Sequence, residues 1–130
     1  LLSNFGSPLG EAFQLRDDIL GIFGDFKNTG KPVGDDIREG KYTLLMAYSI
    51  ENASQDELEL LNRRGSTNIS QEEIISITKI VKDNGALAIV ENRIDELFNE
   101  AISALELLNP DEESKQLALS LAKYVCWRDS

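Results

Sequence analysis

The chain has 130 residues, 42% apolar and 28% charged, a balance that suits one folded domain and argues against disorder. Its formal net charge of −10 disfavours nucleic acid and anionic lipid headgroups as partners, and would repel a phosphorylated substrate unless divalent cations or local lysines intervene. With no histidine and the single cysteine Cys126, the chain by itself cannot build Ser-His-Asp or Cys-His catalysis or an internal disulfide, and a zinc site is disfavoured.

No apolar run approaches the length of a membrane span, and one free cysteine fits a cytoplasmic protein. The opening Leu1-Leu2-Ser3-Asn4-Phe5-Gly6 has no basic leader and no initiating Met, so the chain reads as a piece of something longer.

The pattern predicts helix almost throughout. Ser7-Pro8 opens the first helix, with Ser as N-cap and Pro at the first helical position, and the helix runs to about Phe23 before Gly24. From Asp25 to Gly40, glycines and a proline (Gly30, Pro32, Gly34, Gly40) among mixed charges predict a loop. A short helix follows from Lys41 to about Ile50. Ser54 with Glu57, and Ser70 with Glu73, are capping-box patterns that open two more helices, ending near Arg64-Gly65 and Asn84-Gly85. The stripe Ile89, Val90, Ile94, Leu97, Phe98, Ala101, Ile102, Leu105 predicts a long helix from Ala86 to about Leu108. Asn109-Pro110 with Glu112 starts the last helix, which carries Leu117, Leu121, Tyr124 and Val125. Phe5, Phe13, Phe23 and Phe26 read as core, and Tyr48, Trp127 and Met46 carry no signal. The fold class is all-α.

On the first helix, Ala12, Leu15, Ile19, Ile22 and Phe23 share one face, while Gln14, Asp17, Asp18 and Gly21 share another at i, i+3, i+4, i+7. Two adjacent carboxylates on a mostly apolar helix are costly to bury unless paired or bound to metal. If that face lines a cavity, a hard cation is the simplest partner; one or two carboxylates with water and phosphate oxygens is the usual magnesium arrangement. Lys27, Lys31, Arg38 and Lys41 follow within fifteen residues, among glycines that permit close backbone approach. Together the two segments match the needs of a metal–diphosphate complex: the cation neutralises phosphate charge and the lysines take outer oxygens. The plain alternative is a solvated acidic face paired with Arg16 or a neighbouring lysine, next to an ordinary basic loop. A nucleotide-binding P-loop is excluded, because Pro32 follows Gly30-Lys31 and no strand precedes it.

The run Phe13-Gln14-Leu15-Arg16-Asp17-Asp18-Ile19-Leu20-Gly21-Ile22-Phe23-Gly24-Asp25 closely resembles the second aspartate-rich motif of the trans-polyprenyl diphosphate synthases. Gly30-Lys31-Pro32-Val33-Gly34-Asp35-Asp36-Ile37-Arg38-Glu39-Gly40-Lys41-Tyr42-Thr43 resembles the lysine-bearing loop that trails it in that family, and Leu121 to Arg128 also looks like a family C-terminus. The resemblance implies the C-terminal part of a single synthase domain, with helices of an isoprenoid-synthase-type bundle around a deep apolar cavity. It implies head-to-tail prenyl transfer between an allylic diphosphate and isopentenyl diphosphate, Mg2+ as cofactor, and a homodimer. By matching position, Asp17 is a magnesium ligand supported by Asp18. Gln14 faces the allylic end and Phe13 packs near isopentenyl diphosphate. Lys31 and Lys41 hold the allylic diphosphate, and Asp36 stands in the outer shell of the metal site. Asp17, Asp18 and Lys31 are thus the catalytic candidates.

Two departures stand out. The family pattern usually has a third aspartate where this chain has Gly21, and the family's first aspartate-rich motif, upstream of the second, is absent. The 130 residues alone are therefore expected not to transfer prenyl groups, and some apolar stripes are expected to lack partners. Three other functions remain in view: a cyclase of the same fold, a non-catalytic regulatory or heterodimer subunit derived from such a synthase, and an acidic helical interaction module.

Overall fold

The computed structural model describes residues 2–24 and 33–129. Among these residues the chain forms seven helices and no strand: α1 (Leu2–Phe23), α2 (Asp35–Glu39), α3 (Leu44–Glu51), α4 (Gln55–Leu61), α5 (Gln71–Asp83), α6 (Ala86–Leu108) and α7 (Glu112–Trp127). They divide into two compact units. Residues 2–16 and 91–128 form the first; residues 17–24, 33–90 and 129 belong to the second.

In the first unit, Leu9, Ala12 and Leu15 of α1 are buried, as are Ile94, Leu97, Ala101 and Leu105 of α6 and Ala122 and Cys126 of α7. The spacing along α6 is the stripe expected of a helix with one apolar side. Trp127 closes the end of α7 against Phe98, with ring centroids 4.7 Å apart, a tilted pairing that favours the positive ring edge over the partner's face. Arg93 joins α6 to α1 through Glu11 at 3.0 Å.

In the second unit, Ile37 of α2, Leu45 and Met46 of α3, Leu61 of α4 and Ile74, Ile77 and Val81 of α5 are each at most 1% exposed. Both capping boxes form: the Ser54 hydroxyl accepts from the Glu57 amide and the Ser70 hydroxyl from the Glu73 amide, while each glutamate accepts from its serine's amide. Asn84 donates to the Ser49 carbonyl at 2.9 Å and accepts from the Ala86 amide at 3.2 Å, linking the α5–α6 turn to α3.

The Glu73 carboxylate also accepts from Arg63 Nε at 2.8 Å. That hydrogen bond, followed by the one from the Ser70 amide, lowers Glu73 from an ordinary value of 4.5 to about 2. A depressed carboxylate contributes stability above its unfolded value and loses it as pH falls through the folded one. The melting temperature should thus fall between about pH 4.5 and pH 2, and Glu73→Gln should lower it at pH 7 while flattening that acid limb. An unchanged acid limb in the variant would remove Glu73 from the acid response.

Several elements differ from the sequence reading. α1 begins at Leu2 and contains Pro8, rather than opening there. Pro8 withholds one N–H from the Asn4 carbonyl, but Asn4 is exposed, so water can meet that oxygen. The segment read as all loop contains α2, one turn bounded by Gly34 and Gly40 at φ 77° and 73°. α3 starts at Leu44, because the Thr43 hydroxyl accepts from the Met46 amide at 3.1 Å. The last helix takes Asp111 as its N-cap, with Ser114 N–H donating to its carboxylate at 2.7 Å. Phe13 is 47% exposed rather than core, Ile89 on the α6 stripe is 38% exposed, and Leu117, Leu121 and Tyr124 of α7 are exposed as well. Met46, which carried no signal, is buried.

Candidate diphosphate and metal site

The site begins with the helical register of α1. Gln14 and Asp17 are exposed on it, Asp18 is buried at 7% exposure, and Gly21 follows one turn on. Phe13 and Gln14 lie in the first unit, Asp17, Asp18 and Gly21 in the second.

In the first unit the C-terminal end of the chain grips the helix just ahead of the carboxylates. Arg16 Nε donates to the Cys126 carbonyl at 2.6 Å, and Arg16 Nη1 lies 4.0 Å from Glu91. Burial lowers the Arg16 pKa, opposed by the Glu91 charge. Burial likewise pushes the Cys126 thiol up, which leaves it a poor nucleophile. Arg128 donates to the Phe13 carbonyl at 3.2 Å and stacks over the Phe13 ring at 4.1 Å, a cation–π contact. Phe13 thus stays outside the core, with a charged neighbour on its face.

In the second unit, α2 supplies the complement. Asp36 is buried at 6% exposure, and Lys41 Nζ lies 3.3 Å from its Oδ1 and 3.8 Å from Glu39. The Asp36 hydrogen bond first, then the charges of Asp36, Glu39 and Asp17, hold the Lys41 ammonium above the ordinary lysine range. Lys41 is therefore held in its charged form, within electrostatic reach of Asp17. Lys31 and Lys27, the other lysines singled out in the sequence, lie outside the described residues.

α2 is held from behind by the turn 62–66 and by α5. The Gly65 amide donates to the Ile37 carbonyl at 2.9 Å, and Arg38 donates to Val33 O and Gln71 Oε1, both at 2.6 Å. Gly34 packs on Ile74, where a Cβ would come within 2.5 Å of Cγ2. Gly40 and Gly65 meet backbone to backbone: a Cβ on Gly40 would stand 2.9 Å from the Gly65 Cα, and one on Gly65 3.0 Å from the Gly40 Cα. Both have positive φ, a region that L side chains enter at a cost of about 1–2 kcal/mol.

The oxygen-only donors fit a hard divalent cation such as magnesium. One carboxylate oxygen from each of Asp35, Asp36 and Glu39 lies within 4.8 Å of the others. The place where a side chain at position 21 would stand is filled by the Asp36 carboxylate, which a Cβ on Gly21 would overlap. The residues read from the sequence are thereby joined by two that the reading missed: Glu39, which clusters with the loop aspartates Asp35 and Asp36 once the segment is a helical turn, and Gly65, which was seen only as a helix stop. The i, i+4 spacing of Asp35 and Glu39 was a usable signal; the Gly65 contact, 25 residues from Gly40 (65 − 40), had none.

The polyprenyl synthetase family model matches residues 1–81, which include α1 through most of α5. The chain is 37% identical to the geranylfarnesyl diphosphate synthase of Aeropyrum pernix, over 98% of this chain and 40% of that protein. It is 38% identical to the geranylgeranyl diphosphate synthase of Sulfolobus acidocaldarius, over 98% of this chain and 39% of that protein. Among solved structures, it resembles the geranylgeranyl pyrophosphate synthase of Corynebacterium glutamicum complexed with isoprenyl diphosphate and magnesium: TM-score 0.89, 38% identity, covering 96% of this chain and 36% of that one. The chain spans about 40% of the length of these relatives. With more than half of its residues inside the family model, the chain belongs to the polyprenyl synthetase family.

Proposed function

We propose that the chain supplies the second metal–diphosphate half of a polyprenyl diphosphate synthase, which elongates an allylic diphosphate with isopentenyl diphosphate. The carrying observation is the grouping in one unit of Asp17, Asp18, Asp36 and Lys41, with Asp36 buried beside the Lys41 ammonium at 3.3 Å. The relatives' names as prenyl diphosphate synthases and the magnesium in a similar structure support the reading.

When bound, magnesium supplies the positive charge that stabilises a departing diphosphate. Asp17 and Asp18 hold it from α1, and Asp36 stands in its outer shell. Lys41, which pairs with Asp36, takes outer phosphate oxygens, as does Lys31. A positive charge already standing beside the site lowers the reorganisation needed as the leaving group develops. Phe13, exposed and backed by Arg128, packs near isopentenyl diphosphate, and Gln14 faces the allylic end. The double bond of isopentenyl diphosphate then attacks the allylic carbon and a proton is lost. Among the described residues no helix is long and apolar enough to cross a membrane; a homodimer in the cytoplasm completes the proposal.

Calorimetric titration of the 130-residue chain with inorganic diphosphate, with and without Mg2+, tests this reading. Binding that requires Mg2+ is expected, with no incorporation of isopentenyl diphosphate into product. No Mg2+-dependent binding would leave the acidic face a solvated surface. Turnover by this chain would overturn the expectation that it is inactive alone.

A further inference from the structure

Gly21 stands on the same face of α1 as Asp17 and Asp18, and the volume its missing side chain would take is filled by the Asp36 carboxylate. That carboxylate arrives from α2, whose backbone cannot retreat. Asp36 O accepts from the Lys41 amide at 3.0 Å, Ile37 O from Gly65, and the flanking Gly34 and Gly40 are packed on Ile74 and Gly65. From the proposed metal–diphosphate reading, on which this step rests, we infer that Gly21 is a positioning residue: its bare Cα admits Asp36 onto the acidic face of α1, so that a carboxylate missing from one helix is delivered by another.

The physics gives a distinctive pattern. Adding a Cβ at position 21 opposes the Asp36 carboxylate, its carbon as well as both oxygens, and that group can swing aside by rotating about χ1. Glycine to alanine inside a helix is favourable in itself. The fold should thus tolerate the change, while the carboxylate leaves its place and its contact with Lys41.

Mn2+ binding to the 130-residue chain in the presence of inorganic diphosphate, read by electron paramagnetic resonance and paired with thermal melts, tests this. Gly21→Ala should keep the parent melting temperature and weaken Mn2+ about tenfold, the scale of losing an outer-shell partner. Asp36→Ala should weaken it similarly, and Gly21→Ala in that background should add nothing. Gly21→Asp combined with Asp36→Ala, which returns the carboxylate from the other side, should bind about tenfold tighter than Asp36→Ala alone. Additive losses from Gly21→Ala and Asp36→Ala, or Gly21→Ala binding like the parent, would overturn the inference while leaving the metal reading intact. An unaltered chain that takes up no Mn2+ overturns both. Loss of folding in Gly21→Ala that Asp36→Ala does not rescue would also overturn it, since the overlap would then lie elsewhere.

Discussion

Asp17→Asn is expected to weaken Mg2+-dependent diphosphate binding by this chain by about a hundredfold, with the melting temperature unchanged. The substitution keeps the shape of the side chain and removes its charge. A hard cation bound mostly by water and phosphate depends on each carboxylate it takes. The magnitude sits at the upper end for supporting groups around a metal and the lower end for a removed electrostatic donor. Asp17 is exposed on α1, and exposed substitutions away from caps and core seldom move stability by more than about 0.5 kcal/mol. Asp83→Asn, exposed on α5, is the control and should change neither quantity. Calorimetry with Mg2+ and inorganic diphosphate reads the result. Undiminished binding in Asp17→Asn would shift the cation from α1 to the cluster of Asp35, Asp36 and Glu39.

Gly65→Ala should cost about 2 kcal/mol or more, measured by urea denaturation, and should also weaken diphosphate binding. Alanine at φ 77° carries left-handed strain of about 1–2 kcal/mol. Its Cβ would also stand 3.0 Å from the Gly40 Cα, where backbone cannot yield as a side chain does. The displaced Gly40 adjoins Lys41, so the ammonium moves from beside Asp36. Gly10→Ala is the contrast. Gly10 sits inside α1 with open space around it, and alanine there should stabilise by about 0.5–1 kcal/mol. Equal effects at the two glycines would dismiss the Gly40–Gly65 crossing as a structural constraint.

The pairing of these glycines shows where reading the chain stops. Arg64-Gly65 carried a visible signal, a helix end, because helix termination depends on local φ and capping. That the same Gly65 braces the segment bearing Asp36 and Lys41 depends on a second glycine distant in sequence, and no local pattern encodes such a contact. The same limit applies to Phe13. An aromatic residue beside Ala12 and Leu15 reads as core, yet Phe13 is 47% exposed, and the group over its ring is Arg128, 115 residues further along the chain (128 − 13). Leu117 and Leu121 are as apolar as Leu97, and only packing separates the exposed pair from the buried one.

What the sequence by itself determined is what local chemistry controls. The capping boxes at Ser54 and Ser70, the stop at Asn84-Gly85, the stripe on α6 and the i, i+3, i+4, i+7 register of Gln14, Asp17, Asp18 and Gly21 all arise from hydrogen bonds and helical geometry within a few residues. Of these, only the register of Gln14, Asp17, Asp18 and Gly21 lies in the runs, Phe13 to Asp25 and Gly30 to Thr43, that carried the family resemblance. Tertiary structure alone decided which carboxylate meets which neighbour. Gly21 read as a gap in the acidic motif, and only the placement of α2 against the end of α1 fills it with Asp36. Space left by one residue is visible in a sequence as a missing side chain; what enters that space is decided by the chain's path through three dimensions.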